Sequence, residues 1–219
     1  MEEEPSGRRS RPRPRPRPAR PDGGDPAPAE RLIAALERAD ERIAVAEAHT
    51  GGAVAARLVA VPGASGAFDR GWIVYGRDAP RTELGVPRET LDDHGAVSAP
   101  VARELARRAR DRADATWGVA TTGVAGPTGG TEATPVGTVF VGVARAAPWE
   151  SGASSAAANR YSIGGDRRTV IEASTRRALA DVLSAVETRR VDANADADTN
   201  TDTHTDRDRD TDADTEDRP

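Results

Sequence analysis

The middle of the chain alternates between short apolar runs and longer stretches in which apolar positions recur at helical spacing. Runs with strand character occur five times, at residues 42–45, 71–75, 117–122, 137–143 and 159–163. Helical spacing or helix-start signals occur before, between and after them, at residues 31–36, 53–59, 87–91, 98–109 and 166–189. Strands that alternate with helices predict an α/β protein whose sheet carries helices on both faces.

Two terminal segments lack this apolar pattern. Residues 1–28 are dominated by alternating Arg and Pro, which excludes helix and sheet and predicts a disordered, polyproline-like arm. Residues 191–219 are almost wholly Asp, Thr, Ala, Asn and Arg, from which no core can form, so they predict a disordered acidic tail. Residues 29–190 are long enough for one packed domain.

The composition excludes several kinds of chemistry. All 31 basic residues are Arg, so a Schiff-base lysine and a lysine general base are both excluded. The chain has no Cys, which excludes disulfides and thiolate metal sites and favours a cytoplasmic protein. No apolar run approaches the roughly 18 residues that span a membrane, so we expect no membrane partner. The net charge of −5 and the missing lysine suggest, as a hypothesis, adaptation to high salt.

The turn at residues 46–52 brings a carboxylate, an imidazole, a hydroxyl and two glycines between a predicted strand and a predicted helix: Glu47, His49, Thr50, Gly51 and Gly52. Free backbone N–H groups and the helix dipole favour an anion at such a turn, which predicts a ligand cradle. The alternative is an ordinary turn with Thr50 as the helix N-cap. His49 is a candidate base, since an unperturbed imidazole has a pKa of about 6.5, or it fills a partly exposed turn.

A second glycine-rich stretch, residues 121–131, directly follows another predicted strand. Its small residues allow the backbone to come within hydrogen-bonding distance of a ligand, although a long surface turn would also explain them. The stretch lacks the ending of a P-loop and the spacing of a dinucleotide fingerprint. Ligands bind at the carboxyl ends of strands in open sheets, so two such stretches together favour a ligand site. No cluster has metal-ligand spacing, and we predict no metal and no cofactor.

Several ordered motifs extend over residues 30–188. The pattern TGIAGPxGGTxxxPVGTV is matched at residues 122–131 and 135–139, HGAVS at 94–98, and GDR at 165–167, while VPGSS is nearly kept at 61–65. In these motifs the chain resembles the C-terminal domain of the CinA (competence/damage-inducible) proteins, the nicotinamide-nucleotide amidohydrolases. The resemblance implies a three-layer α/β/α sandwich with a mixed or mostly parallel sheet, and a homo-oligomer. It also implies hydrolysis of nicotinamide mononucleotide to nicotinic acid mononucleotide and ammonia, and a structural loop role for His94.

The chain departs from this family at two functional positions. The family's turn reads AESCTGG, and here its Ser is Ala48 and its Cys is His49. The family's second active stretch reads YSNEAK, and here Tyr75 is kept while the Lys is Pro80. The resemblance implies that this Ser is the nucleophile and this Lys its general base. Neither is present and the sequence has no other lysine, so the family's own mechanism cannot operate.

Three functional hypotheses follow. The first is a domain that binds a small nucleotide and has lost amidase activity. The second is an enzyme of altered mechanism, in which His49 or Glu47 activates water or His49 activates Thr50, with Tyr75 as a further catalytic candidate. The third is a nucleic-acid adaptor that uses the basic arm, which is less favoured because the arm has no aromatic residue to stack on bases. The predicted ligand contacts are small or hydroxyl-bearing residues of the glycine-rich motifs: Thr50, Gly51, Gly52, Thr122, Gly123, Ala125, Gly126, Gly129, Gly130, Thr131, Gly137 and Thr138.

Overall fold

The computed structural model describes residues 27–148 and 151–201, with side chains up to residue 191. Nearly all of the predicted arm and residues 202–219 of the predicted tail therefore lie outside the described residues. Within the described part the strands are β1 (Ile43–Glu47), β2 (Phe68–Ile73), β3 (Trp117–Gly123), β4 (Thr138–Arg145) and β5 (Ser155–Ser162). The α-helices are α1 (Pro28–Ala39), α2 (Ala53–Val59), α3 (Ala79–Leu84), α4 (Arg88–His94), α5 (Ala99–Arg112) and α6 (Arg167–Thr201).

The five strands form one mixed sheet in the order β2-β1-β3-β4-β5. Strand β1 is parallel to both β2 and β3, whereas β4 is antiparallel to both β3 and β5. The predicted mixed sheet is confirmed. Because β1, β2 and β3 run in the same direction, their carboxyl ends meet at one edge, and the segments that follow them can enclose a common site.

Helices cover both faces of the sheet, which confirms the three-layer arrangement. Along β1 the side chains alternate, so that Ile43 and Val45 join the core formed with α1, α2 and α6. Ala44 and Ala46 face the opposite core, which α3 and α5 complete. Helix α5 begins at the predicted cap, where the Ser98 hydroxyl accepts a hydrogen bond from the Val101 N–H at 3.4 Å.

Several elements differ from the prediction. Strand β2 covers residues 68–73 rather than 71–75, and β5 begins at Ser155 rather than near residue 159. The early part of β5 is rich in Ala and Ser, which carry little strand preference, and it is held by backbone pairing with β4. Helix α3 was not predicted, because six residues are too few to show helical periodicity.

Helix α6 extends to Thr201, twelve residues beyond the predicted end near residue 189. The polar sequence after residue 190 offers no apolar face, but a helix that has already formed gains one hydrogen bond for each residue it adds. The predicted disorder is therefore not observed at residues 191–201. Among the described residues, no helix is both long and apolar enough to cross a membrane.

Candidate functional site

The carboxyl ends of β1, β2 and β3 open into a cleft of about 330 Å³, which we call the strand-end cleft. Its walls come from the segments after these three strands, from the HGAVS motif before α5, and from the first residue of α6. The residues that line it are Ala48, His49, Val74, Tyr75, Gly76, Arg77, Pro80, Ala96, Val97, Leu105, Thr122, Gly123, Val124, Ala125, Gly126, Thr128, Gly129 and Arg167.

The strand-end cleft contains only part of the predicted site. Of the predicted ligand contacts, five residues of the second glycine-rich stretch line it: Thr122, Gly123, Ala125, Gly126 and Gly129. Both His49 and Tyr75 also line it. The two glycine-rich stretches therefore do meet at one edge of the sheet, but the second contributes most of the wall.

The remaining predicted contacts are not among the lining residues: Thr50, Gly51, Gly52, Gly130, Thr131, Gly137 and Thr138. Two of them have clear structural roles. Thr131 holds a turn, in which its hydroxyl lies 2.9 Å from that of Thr134. Gly137 has a φ of +89°, and a Cβ there would lie 2.0 Å from the Ile163 carbonyl oxygen, so only glycine fits. Contact of these seven residues with a ligand stays a prediction.

Glu47 is buried and holds the start of α2 in place. One carboxylate oxygen accepts hydrogen bonds from the Thr50 hydroxyl at 2.7 Å and from the N–H groups of Gly52 and Val54 at 2.9 and 3.0 Å. The other accepts from the Ala55 N–H at 2.8 Å. Three of these four donors share one carboxylate oxygen, and the other oxygen accepts a single hydrogen bond. The anion expected at this turn is therefore the protein's own side chain, and Glu47, only 1% exposed, is buried away from water in the cleft.

Thr50 is bonded to two protein groups and does not contact His49 by a hydrogen bond. Its hydroxyl proton goes to Glu47, and its oxygen lies 2.6 Å from the Thr121 hydroxyl. Because a hydroxyl has one proton, Thr121 is the donor in the second contact. The structure therefore does not bring Thr50 and His49 together as a nucleophile and base, and Glu47 rather than Thr50 caps α2.

His49 is buried, and its Nε2 lies 2.9 Å from the Ser174 hydroxyl oxygen on α6. The Ser174 hydroxyl donates its proton to the Val170 carbonyl oxygen at 2.6 Å, so Nε2 must carry the proton in the contact with Ser174. Nδ1 is then the unprotonated nitrogen, buried with no partner among the described residues. Burial, assisted by the positive charge of Arg167, lowers the pKa of His49 from 6.5 to about 4. The imidazole is neutral at pH 7.

This lowered pKa predicts that acid destabilises the fold through His49. The unfolded chain takes up the proton near pH 6.5 and the folded chain only near pH 4, so protonation favours unfolding between these values. The contribution is fully present above pH 6.5 and falls by about 3 kcal/mol on reaching pH 4. Urea unfolding at pH 7, 5.5 and 4 should show this loss in the wild type relative to His49→Gln. The exposed His94 gives the control, since His94→Gln should follow the wild type. Identical pH profiles for His49→Gln and wild type would contradict a buried neutral imidazole.

Arg167 connects three walls of the strand-end cleft. Its Nη1 donates to the Gly126 carbonyl oxygen at 2.7 Å, and its Nη2 donates to the Tyr75 hydroxyl at 2.7 Å. Arg77 supplies a second guanidinium, and no carboxylate is among the lining residues. This charge suits an anionic ligand. The GDR motif gave a sequence signal at Arg167, whereas no local pattern indicated Arg77 or Ser174.

Ala48 and Pro80 line this same cleft. Neither side chain carries a group that can attack or take a proton. The Thr122 hydroxyl, which also lines the cleft, donates to the Ala96 carbonyl oxygen at 2.6 Å. Within residues 27–148 and 151–191, no three His, Cys, Asp or Glu side chains are grouped to hold a metal ion. The lining residues therefore offer hydrogen-bonding groups and positive charge, and Ala48 and Pro80 offer neither a nucleophile nor a base.

Comparison with known proteins places these features in one family. The sequence model of the family described as the CinA C-terminal domain matches residues 26–186 of this chain. The CinA-like protein of Anaeromyxobacter sp. strain K is 52% identical over 123 residues, which are 56% of this chain and 30% of that protein. The CinA-like protein of Chlorobaculum tepidum is 49% identical over 125 residues, which are 57% of this chain and 29% of that protein. The matches thus span about 30% of the length of these curated relatives.

Solved structures show the same fold. A CinA superfamily protein from Klebsiella pneumoniae 700603 is 30% identical with a TM-score of 0.67, over 74% of this chain and 96% of that one. A competence/damage inducible protein from Agrobacterium tumefaciens is 34% identical with a TM-score of 0.66, over 74% of this chain and 97% of that one. The motifs, the fold and the extent of these matches agree, and the chain belongs to the CinA C-terminal domain family.

Proposed function

We propose that this domain binds a nicotinamide mononucleotide-like ligand in the strand-end cleft and has lost the family's amidase reaction. One observation carries the proposal: Ala48 and Pro80, which replace the Ser and Lys that the family resemblance assigns to catalysis, both line the cleft. Alanine has no hydroxyl, proline has no group that titrates, and the chain contains no lysine. The groups that would bind a nucleotide are present, while the groups that would cleave its amide are absent.

The lining of the cleft supports a nucleotide ligand. Arg77 and Arg167 supply positive charge for a phosphate group, and the loop at residues 122–129 supplies closely approaching backbone. Val97 adds apolar surface against which a pyridine ring can pack. The volume of about 330 Å³ lies in the range of small-molecule sites.

The altered-mechanism hypothesis has less support. The buried Glu47 carboxylate already accepts four hydrogen bonds from the protein, and Thr50 donates its proton to Glu47 rather than to His49. His49 is neutral at pH 7, but a pKa of about 4 makes it a weak base, since a general base works best with a pKa near the operating pH. The adaptor hypothesis depends on the arm outside the described residues and stays a prediction, as does a homo-oligomer.

Binding can be tested through Arg167. We expect Arg167→Gln to weaken the binding of nicotinamide mononucleotide at least about tenfold in isothermal titration calorimetry, since a hydrogen bond to a charged group contributes about 1.5–3 kcal/mol. The matched control is Arg168→Gln, because Arg168 is the next residue on α6 but is exposed and paired with Glu172 at 3.0 Å. Its affinity should equal that of the wild type.

Urea unfolding of both variants separates a loss of binding from a loss of fold. Arg77→Gln provides a second test of the charge requirement, since Arg77 lines the cleft and has no hydrogen-bond partner among the described residues. Wild-type protein that gives no binding heat at millimolar ligand would refute the proposal, and so would equal affinities of Arg167→Gln and Arg168→Gln.

A further inference from the structure

A second cleft, of about 370 Å³, lies at the opposite end of the sheet, and we call it the β4–β5 cleft. Its walls are the start of β3, the end of β4, the start of β5 and the inner face of α6. Trp117, at the start of β3, lines the β4–β5 cleft, whereas Gly123, at the end of β3, lines the strand-end cleft. Strand residues rise about 3.3 Å each, so β3 separates the two by about 20 Å.

The β4–β5 cleft exists because small side chains face α6 at this end of the hairpin. Ser155 and Ala157 on β5 stand directly opposite Arg145 and Val143 on β4. Across from them α6 presents Ala185. Larger residues at these positions would fill the space between the hairpin and the helix.

Two guanidinium groups line this cleft, those of Arg145 and Arg189. Arg145 forms no hydrogen bond or ion pair with any described side chain, and its Nε–H is buried without an acceptor. Arg189 on α6 faces Glu41 at 3.6 Å, beyond hydrogen-bond distance. Glu41 also accepts a hydrogen bond from the Trp117 Nε1–H at 2.8 Å. The described side chains therefore leave a net positive charge in the cleft.

The buried donor makes this arrangement different from a solvated pair of surface arginines. A buried N–H that has lost its hydrogen bond to water and has no protein acceptor destabilises the fold, unless another group supplies the acceptor. Burial, followed by the like charge of Arg189, lowers the pKa of Arg145, and Glu41 opposes this shift. Among the described residues no acceptor reaches the Arg145 Nε–H.

We propose that the β4–β5 cleft binds the phosphate group of a small organic molecule through Arg145 and Arg189. A guanidinium fork matches the oxygens of a phosphate, and the hydroxyls of Ser155 and Thr188 line the cleft as further donors. The volume far exceeds that of a phosphate ion, and Val143, Ala157 and Ala185 give the remaining space apolar walls. The ligand thus carries an apolar part beside its phosphate. This site is independent of the nucleotide ligand proposed for the strand-end cleft.

Calorimetric titration of the full chain with phenyl phosphate and with inorganic phosphate at low ionic strength tests the proposal. We expect phenyl phosphate to bind the more tightly, and Arg145→Gln to weaken its binding at least about tenfold. The matched control is Arg160→Gln, which removes an exposed arginine from β5 that does not line the cleft. Repeating the titrations in the Arg167→Gln background reduces the contribution of the strand-end cleft.

Different measurements would show that this proposal or the proposed function is wrong. Arg145→Gln should bind nicotinamide mononucleotide as the wild type does, whatever happens to phenyl phosphate. Arg189→Gln, which changes a partly exposed residue, repeats the test should Arg145→Gln fail to fold. If Arg145→Gln and Arg189→Gln fold and bind phenyl phosphate as tightly as the wild type does, the proposed site is wrong. Equal affinities for the two probes would overturn its assignment to an organic phosphate.

Discussion

The double variant Ala48→Ser/Pro80→Lys should release ammonia from nicotinamide mononucleotide at least about a hundredfold faster than the wild type. Both positions line the strand-end cleft, so the variant would place a hydroxyl and an amine beside the proposed ligand. A general base alone contributes about 10²–10⁴-fold to a rate, and a serine hydroxyl is a weak nucleophile without one. A coupled assay for ammonia, with the ligand saturating, measures the gain.

The single variants are the matched controls for this gain. Ala48→Ser supplies a hydroxyl that no base activates, and Pro80→Lys supplies a base without a nucleophile, so each should remain close to the wild type. Pro80→Ala tests the fold, because Pro80 is buried in the first turn of α3. A wild-type rate as high as that of the double variant would contradict the loss of activity. A folded double variant that binds the ligand but releases no ammonia would contradict the roles assigned to the two positions.

The central part of the fold could be predicted because its strands are buried and apolar. Strand β3 has six consecutive buried residues, and its predicted span of 117–122 differs from the observed one by a single residue. Strand β5, at the sheet edge, has a mixed burial pattern and many small residues, so its first four residues were missed. Apolar periodicity in a sequence indicates which residues are buried. It gives no signal for a strand that is held by backbone pairing alone.

The position of the strand-end cleft could also be predicted, because glycine-rich stretches after neighbouring parallel strands must meet at one sheet edge. The bonding of its side chains could not. His49 and Ser174 are 125 positions apart in sequence, and no local pattern pairs them. The lowered pKa of His49 follows from burial beneath α6 and from Arg167, both products of long-range packing.

Glu47 is the clearest example of a side chain whose bonding partners could not be predicted from the sequence. A carboxylate beside His49, Thr50 and two glycines suggests a catalytic turn, because the sequence shows which groups are near one another and not which lone pairs are occupied. In the structure the buried Glu47 carboxylate accepts hydrogen bonds from four protein donors. The first glycine-rich stretch therefore serves mainly to start α2, and positive charge and backbone from the later loops are left to bind a ligand.

Glu47→Ala should lower the free energy of unfolding by about 4 kcal/mol or more, since it leaves three N–H groups and one hydroxyl without their acceptor and each unsatisfied group costs about 1–3 kcal/mol. This is a large part of the roughly 5–15 kcal/mol that stabilises a typical domain. Glu47→Gln should cost less, about 2–3 kcal/mol, because it keeps the shape and one acceptor oxygen but turns an NH₂ group towards N–H donors. Urea unfolding at pH 7 measures both losses.

The control for Glu47 is Glu172→Gln, which removes an exposed carboxylate paired with Arg168 on α6 and should change stability by less than about 0.5 kcal/mol. The comparison separates the two roles considered for Glu47. A general base would be replaceable by Gln with little loss of stability, because catalytic groups are selected for reactivity rather than for the folding energy they supply. A cap that satisfies four donors, two of them buried and two partly buried, cannot be replaced in this way. If Glu47→Gln unfolds at the same urea concentration as Glu172→Gln, the structural role is wrong and the altered-mechanism hypothesis regains its base.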